Sequence, residues 1–249
     1  MTILKEIVKN TQEKVNERKR QFPIKNIKNQ LENIPIIDIS FKENLINKDE
    51  AIIAEIKKAS PSAGVIDKNF NPIDKAKEYE NRGVAALSVL TEEDFFGGCN
   101  EYLISVREAT SLPILRKDFL VDEYQIYESR LIGANCILLI AAILSDSQIR
   151  DFVKISEELN MDYLLEVHDK DELARVEHFD NAIIGVNNRN LKTFEVDLKN
   201  SVRLRQAFNH NNVFVAESGI KKQADIDYLK SNGINVFLIG ESLMRNEFK

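Results

Sequence analysis

Eight short apolar runs, separated by longer segments with helical spacing, are the feature that most limits how this chain can fold. Each run is too short for a helix, rich in aliphatic and β-branched residues and apolar almost throughout, as expected for parallel strands covered on both faces. Eight strand–helix units in about 200 residues predict a closed (β/α)8 barrel, an α/β fold. The runs begin at residues 51, 85, 113, 135, 162, 182, 212 and 235 and read AIIAEI, AALSVL, PILRKDF, NCILLI, DYLLEV, AIIGV, NVFVAE and NVFLIG.

Helix start signals follow several of these runs. Asn71 precedes a proline suited to the first helical position, and Ser145 with Gln148 has the spacing of a capping box, as does Asp169 with Glu172. A doubly wound open sheet is the structural alternative, but no GxGxxG motif follows the first run. Glycines suited to a left-handed helix end stand before three later runs: Gly83, Gly133 and Gly233.

The length of the chain, 249 residues, suits one substantial core. We predict that residues 1–249 form one barrel domain and that residues 1–50 are an N-terminal helical extension. Periodicity alone does not distinguish a plug under the barrel from a lid over its mouth for the first helix of this extension. Its apolar face consists of Ile3, Leu4, Ile7, Val8 and Val15.

Composition excludes several classes of protein. The chain has no N-terminal apolar segment of the secretory type and no run long enough to cross a bilayer, so we expect a cytoplasmic protein with no membrane partner. Its net charge of −6 disfavours nucleic acid as a partner, although a local basic pocket can still bind a small anion. Cys99, Cys136 and the three histidines have no metal-ligand spacing, so we expect no metal. A monomer is expected, and a weak homodimer remains open.

Polar residues stand at the carboxyl ends of five predicted strands. In a barrel of this kind the active site is built from those ends and the loops that follow them, so these side chains would converge on one mouth. Leu115 and Lys117 share a strand face, which extends an apolar lumen wall into a polar rim. Any single one of these residues could instead form a surface salt bridge or be polar by chance, without a role in a site. The converging residues are Glu55, Lys57, Lys117, Glu166, Asn187, Glu217 and Ser218.

Two glycine-containing loops resemble a phosphate cradle. Ser218 and Gly219 follow the seventh strand, and Gly240 and Glu241 follow the eighth strand at the start of a short helix. Glycine lets backbone N–H groups approach an anion, and a helix N-terminus favours negative charge. Alternatively, either loop could be a turn that needs glycine only for its backbone conformation and binds no anion.

Two aromatic residues are expected near the same mouth. Phe96 lies in the segment TEEDFFGG and Phe119 in RKDF. Their rings could stack on a planar ring of a ligand, or fill the space between a loop and the barrel.

Seven motifs follow one another along the chain in an order and approximate spacing typical of one enzyme family. They are EIKKASPSAG, LSVLTEEDFFGG, PILRKDF, LLEVH, IGVNNRNL, VAESGI and LIGESLMR. Over nearly its whole length the sequence therefore resembles the indole-3-glycerol-phosphate synthases of tryptophan biosynthesis. The resemblance implies a TIM barrel with an additional N-terminal helix and a lyase without a cofactor. The substrate would be the phosphosugar 1-(2-carboxyphenylamino)-1-deoxyribulose 5-phosphate, which is cyclised, decarboxylated and dehydrated.

The resemblance also implies roles for the strand-end residues. Lys117 corresponds to the general acid of ring closure, and Lys57 corresponds to the partner of the substrate carboxylate, sharing proton transfer with Glu55. Glu166 corresponds to an acid or base of the later dehydration. The remaining correspondences are Asn187 and Ser218 for orientation, Ser60, Gly219, Gly240 and Glu241 with Lys57 for phosphate, Phe96 and Phe119 for the anthranilate ring, and Arg189 and Glu217 for substrate binding near the loop.

One departure and two alternatives accompany this resemblance. The sequence ends soon after LMRN, whereas relatives usually continue through a final helix, so a short eighth barrel helix is expected. A phosphoribosylanthranilate isomerase would need a Cys/Asp pair at strand ends, and neither cysteine occupies such a place. A catalytically silent barrel would predict loss of the charged residues, all of which are present.

Overall fold

Eight parallel strands close a barrel, as the apolar runs predict. The computed structural model describes residues 2–34, 39–191 and 193–248. β1 pairs with both β4 and β10, which closes the sheet in the order β1-β10-β9-β8-β7-β6-β5-β4, while β2 and β3 form a separate hairpin after β1. The strands are β1 (Ala51–Ile56), β2 (Ala59–Ser60), β3 (Gly64–Val65), β4 (Ala86–Leu90), β5 (Ile114–Lys117), β6 (Cys136–Ile140), β7 (Asp162–Val167), β8 (Ile183–Asn187), β9 (Phe214–Glu217) and β10 (Val236–Ile239).

Helices connect the barrel strands and precede the first of them. No helix in the described part of the chain is long and apolar enough to cross a membrane. The last helix is a single turn, so the short eighth barrel helix is confirmed. The helices are α1 (Ile3–Gln21), α2 (Ile24–Leu31), α3 (Phe41–Ile46), α4 (Pro72–Asn81), α5 (Asn100–Ala109), α6 (Glu123–Leu131), α7 (Asp146–Glu158), α8 (Lys170–Val176), α9 (Lys199–Ala207), α10 (Gln223–Lys230) and α11 (Glu241–Met244).

Local capping chemistry fixes where several helices begin. The side chain of Asn71 accepts hydrogen bonds at the start of α4, and Ser145 with Gln148 forms a complete capping box on α7. Asp169 caps α8 as predicted, but the reciprocal half of its capping box is wrong. The carboxylate of Glu172 accepts the backbone N–H of His168 instead, one residue before the cap. Satisfying an exposed N–H at a helix start stabilises the helix by about 1 kcal/mol.

Alternating side chains divide the interior into two apolar regions. Outward-facing strand residues such as Ile56, Val89 and Leu139 pack under the surrounding helices. Inward-facing residues fill the lumen, because parallel strands place every second side chain on the same face. The lumen residues of the lower and middle layers include Ala51, Ile53, Ala86, Leu115, Cys136, Leu138, Ile140, Leu164, Ile183, Val215, Val236 and Leu238.

The N-terminal extension reaches both ends of the barrel. From α3, buried Phe41 and Leu45 pack against the amino-terminal layer of the lumen, so α3 is a bottom plug. By contrast, Lys14 of α1 pairs with Glu93 and Asp94 of the loop after β4, at N–O distances of 2.6 and 2.8 Å. The first helix therefore lies at the mouth, which answers the question that periodicity left open. Residues 1 and 35–38 of the predicted extension lie outside the described residues.

Candidate active site

A cavity of about 960 Å³ opens at the carboxyl ends of the strands. Its floor is polar and its sides are largely apolar, with Ile3, Leu4 and Ile7 of α1 forming part of the wall. All of the predicted site residues line this cavity: Glu55, Lys57, Ser60, Phe96, Lys117, Phe119, Glu166, Asn187, Arg189, Glu217, Ser218, Gly219, Gly240 and Glu241.

Lys117 lies between two carboxylates on the cavity floor. Its ammonium donates to Oε2 of Glu166 over 3.1 Å and to Oε2 of Glu217, although β5, β7 and β9 are not neighbours in the sheet. Asn187 of β8 donates through Nδ2 to Oε1 of Glu166 over 3.1 Å. Both glutamates are almost fully buried. Because a buried charge without a partner is strongly unfavourable, the lysine and its two carboxylates form one electrostatic unit.

Burial and mutual charge shift the pKa values of this unit in different directions. Burial alone would lower the pKa of Lys117, but the negative charges of Glu217, Glu166 and Glu55 raise it above its ordinary value. Burial raises the pKa of Glu217 to about 7, which the nearby ammonium of Lys117 only partly offsets. Burial would also raise the pKa of Glu166, but Lys117, His168 and the hydrogen bond from Asn187 bring it below its ordinary value. The floor thus combines a fully charged ammonium, an ionised carboxylate and a carboxyl group that titrates near neutrality.

A second ion pair lies on β1 and the residue after it. The ammonium of Lys57 contacts Oε1 of Glu55, and both side chains are largely buried. Gly240 faces this pair so closely that an added Cβ would lie 2.9 Å from Nζ of Lys57 and overlap the carboxylate of Glu55. A side chain at position 240 would therefore displace the ion pair of Glu55 and Lys57. The close approach links the ion pair to the backbone of the last loop.

The loop after β9 turns through two left-handed residues. Ser218 has φ of +68° and Gly219 has φ of +86°. The Ser218 hydroxyl donates to Oδ1 of Asn187 over 2.9 Å, which compensates for the strained backbone of a non-glycine residue. Because Asn187 also contacts Glu166, this loop is joined by hydrogen bonds to the charged floor.

The loop after β10 leads into α11 with its backbone toward the cavity. Gly240 is the N-cap of this helix. The carboxylate of Glu241 pairs with Arg245 on the next turn, at an Nε–Oε1 distance of 3.3 Å. That pairing partly neutralises the carboxylate that Glu241 brings into the cradle. Lys221 and Lys222 from the neighbouring loop add positive charge to the cavity wall.

Two phenylalanine rings form one side of the cavity. The centroids of Phe96 and Phe119 are 6.0 Å apart and their planes are inclined by 40°. The backbone beneath Phe96 is fixed by Glu92, a buried acid whose carboxylate accepts the N–H groups of Asp94, Phe95 and Phe96. Such a wall suits a flat aromatic group.

Ser60 and Arg189 line the cavity but also have structural partners. The hydroxyl of Ser60 accepts the N–H of Ala63 over 3.2 Å within the β2–β3 hairpin. Arg189 donates through Nη1 to the carbonyl of Phe194 over 3.2 Å, and its backbone N–H donates to Asn187. These bonds order the loop after β8 beside the charged floor.

Sequence reasoning missed three contributors. The lid role of α1 was left open, because a plug and a lid have the same periodicity. His168 was assigned no role, since its neighbours Glu166 and Glu172 become relevant only in the fold. Arg116, which alternates with Lys117, is fully buried and ion-paired. It forms ion pairs with Asp118 at 3.0 Å and with Glu128 at 2.8 Å. The sequence could have indicated this network, because Arg116 lies on the outward face of its strand and is followed by Asp118 in the motif RKD.

The cysteines do not join the site. Cys136 lies in the lower lumen and Cys99 is the N-cap of α5. Burial raises the pKa of both thiols, which disfavours thiolate chemistry.

Comparisons with known proteins agree on one family. A family model described as Indole-3-glycerol phosphate synthase matches residues 4–248. Similar proteins include the indole-3-glycerol phosphate synthase of Lachnoclostridium phytofermentans, 43% identical over 98% of this chain and 94% of that protein. Another, from Acetivibrio thermocellus, is 51% identical over 80% of this chain and 76% of that protein.

A solved structure shares the fold at low sequence identity. The N-acetylmannosamine-6-phosphate 2-epimerase from Clostridium perfringens has a TM-score of 0.62 and 14% identity, and the match covers 84% of this chain and 93% of that chain. This similarity supports the barrel alone.

The shifted carboxyl group on the cavity floor is directly measurable. We expect one glutamate carboxyl resonance, followed by carbon NMR in the free protein, to titrate near pH 7 and to be absent from Glu217→Gln. In Lys117→Met the midpoint should rise further, because the ammonium stabilises the ionised form. Glu158→Gln, a change at an exposed helix position, is the control and should leave the resonance in place. A midpoint below 5 in the unmodified chain would contradict the assignment.

Proposed function

The chain belongs to the indole-3-glycerol phosphate synthase family, and from the geometry of the mouth we propose how its residues divide the work of that reaction. The protein is a carbon–carbon lyase of tryptophan biosynthesis. It converts 1-(2-carboxyphenylamino)-1-deoxyribulose 5-phosphate into indole-3-glycerol phosphate, with loss of CO₂ and water. Three steps need assistance: ring closure, decarboxylation and dehydration.

Lys117 is the general acid of ring closure in this proposal. The carboxyl-bearing carbon of the anthranilate ring attacks the ketone carbon of the sugar, and the ketone oxygen accepts a proton as negative charge develops on it. The Lys117 ammonium is fully protonated at neutral pH because Glu166 and Glu217 raise its pKa. Its position between two carboxylates is the observation on which the proposed roles chiefly depend.

Lys57 and Glu55 act beside the substrate carboxylate. An ammonium that is already paired with Glu55 can exchange this partner for the anthranilate carboxylate and hold it until CO₂ leaves. Departure of CO₂ returns the electron pair to the ring and restores its aromatic character. Glu55 then pairs with the ammonium of Lys57 again.

Glu166 is the base of the dehydration step. Its pKa below the ordinary value keeps it ionised, so it can remove a proton from the substrate carbon bonded to nitrogen. Lys117, protonated again after ring closure, gives a proton to the departing hydroxyl, which leaves as water. Asn187 orients the carboxylate and is itself oriented by Ser218. Glu217, which titrates near neutrality, returns a proton to Lys117 between ring closure and dehydration and takes up another from solvent.

The phosphate binds to the two glycine loops in this proposal. Gly219, Gly240, Glu241 and Ser60 line the cavity, and we assign their backbone N–H groups and the Ser60 hydroxyl to the phosphate, with Lys57 close to Gly240. The anthranilate ring lies against Phe96 and Phe119, at the other side of the charged floor, and Arg189 orders the loop over the sugar. This arrangement holds both ends of the substrate and leaves its reacting carbons over Lys117.

We extend the proposal to the whole chain. Residues 1–249 act as one domain, with residues 1–50 as its extension, because described parts of α1 and α3 contact the two ends of the barrel. We also propose that the protein is a cytoplasmic monomer. Sedimentation equilibrium should return a mass near 28.5 kDa, and a stable dimer would contradict this part of the proposal.

Turnover by the purified chain in chelator-containing buffer tests the function and the role of Lys117 together. The chain contains no tryptophan, so the fluorescence of the indole product rises over a low background. We expect Lys117→Met to lower kcat by roughly 10³-fold while KM stays within about tenfold, because the acid is lost and the substrate contacts remain.

Lys117→Arg separates acid catalysis from charge. Arginine preserves the positive charge between Glu166 and Glu217 but does not release a proton at neutral pH. A kcat as low as that of Lys117→Met would support proton donation, whereas near-normal turnover would reduce Lys117 to an electrostatic role. Lys154→Met, at an exposed position on α7, is the control for loss of a lysine and should leave kcat unchanged.

A negative charge in the phosphate corner should weaken substrate binding. We expect Gly219→Asp to raise KM by about tenfold or more, which corresponds to about 1.4 kcal/mol, because the carboxylate repels the phosphate. Gly219→Ala measures the steric part alone, since a Cβ there meets Val196. Gly233→Asp introduces the same change at a left-handed position with open space and should leave KM unchanged. An unaltered KM in Gly219→Asp would refute the phosphate corner.

A further inference from the structure

His168 stands directly behind Glu166, outside the wall of the cavity. It is the first residue after β7, and its ring lies between the side chain of Glu166 and Glu172 of α8, a helix on the outside of the barrel. Its ring nitrogen Nε2 lies 3.5 Å from Oε1 of Glu166 and is buried without a hydrogen bond to any described residue. On the other side, Nδ1 lies 3.1 Å from Oε2 of Glu172 on α8.

Glu172 fixes the orientation of this imidazole. The same oxygen, Oε2, accepts the backbone N–H of His168 over 2.8 Å. One carboxylate therefore holds both the backbone and the ring of His168. A carboxylate only accepts hydrogen bonds, and therefore Nδ1 carries a proton. If the ring were neutral, the lone pair of Nε2 would face the carboxylate oxygen of Glu166. Protonation of Nε2 replaces this repulsion by attraction.

We propose that His168, held by Glu172, is a positioning residue whose positive charge keeps Glu166 ionised as the pH falls. The inference rests on the proposed role of Glu166 as the base of dehydration. Lys117 and Asn187 support the same carboxylate from inside the lumen, and His168 supports it from outside. Because His168 lies outside the cavity wall, it can do this while substrate fills the mouth.

The charges around His168 favour its protonated form. Glu172 faces it from α8, Glu166 from its own strand and Glu217 from β9, whereas α9 contributes the neutral Asn200, which donates to its carbonyl. Lys117 of β5 lies on the far side of Glu166 and opposes the effect. Burial would lower the pKa of His168, but the hydrogen bond to Glu172 and the negative charge of Glu166 raise it above its ordinary value.

Two variants separate charge from packing. His168→Gln removes the cation. Glu172→Gln keeps a side-chain oxygen that can accept the N–H of His168 but removes the negative charge that favours imidazolium. His178→Gln, at an exposed position just beyond α8, is the matched control for loss of a histidine.

The first readout is a titration of the free protein, which does not depend on activity. With three histidines in the chain, proton NMR assigns each ring by substitution. We expect His168 to titrate above 6.5 and its midpoint to fall in Glu172→Gln. In carbon NMR the carboxyl of Glu166, identified from its absence in Glu166→Gln, should have a higher midpoint in His168→Gln and in Glu172→Gln. An unchanged Glu166 midpoint in His168→Gln would overturn the proposal.

The second readout is the pH profile of kcat. At a pH below the midpoint of Glu166 in the unmodified chain, both variants should lose about tenfold in kcat, the factor that corresponds to a rise of one unit in the pKa of Glu166, and at pH 8 they should stay within about threefold of the unmodified enzyme. An equal loss at both pH values would show a structural role and overturn the proposal. His178→Gln should follow the unmodified profile. If the unmodified chain forms no product, the proposed function fails, and the titrations alone decide whether His168 controls Glu166.

Discussion

The ammonium of Lys117 lies between two buried carboxylates that come from strands on different sides of the barrel. Removing it would leave Glu166 and Glu217 together in an apolar lumen, and breaking a buried pair in this way typically costs about 3–5 kcal/mol. Barrel closure makes the arrangement possible, because it brings β5, β7 and β9 within the reach of one lysine side chain. That convergence forms the charged floor. Asn187 is hydrogen-bonded to this floor through Glu166, and Ser218 is hydrogen-bonded to Asn187.

The sequence was sufficient for the architecture because the relevant signals are local. Apolar runs of strand length identify all eight barrel strands, and side-chain oxygens at Asn71 and Ser145 mark helix starts that need no tertiary contact. Strand parity was equally informative at the site, since Lys117 continues the apolar face of Leu115. The motif resemblance then supplied substrate and residue roles, which parity alone does not contain.

Other features depend on contacts between distant segments and could not be predicted in this way. An amphipathic α1 has the same periodicity under the barrel as over its mouth, and its salt bridges to Glu93 and Asp94 decide the question. The capping-box spacing at Asp169 predicts the helix start correctly, but the carboxylate of Glu172 accepts the backbone N–H of His168 and contacts its ring instead of the cap N–H. Arg116 carries a full charge although strand alternation places it in the apolar layer between the sheet and the helices. Its partners come from α6 and from the loop after β5.

Closure of the sheet through β1 and β10 has a consequence for synthesis of the chain. Ala51 pairs with Val236, so one edge of the first barrel strand stays unpaired until the last strand has been synthesised. At about 5–20 residues per second, translation of the intervening segment takes roughly ten to forty seconds. Throughout that interval Phe41 and Leu45 lack the completed lumen floor against which they pack. While it is being synthesised, the chain therefore has an unpaired strand edge and exposed apolar side chains. In this state a barrel of this kind most needs protection from aggregation.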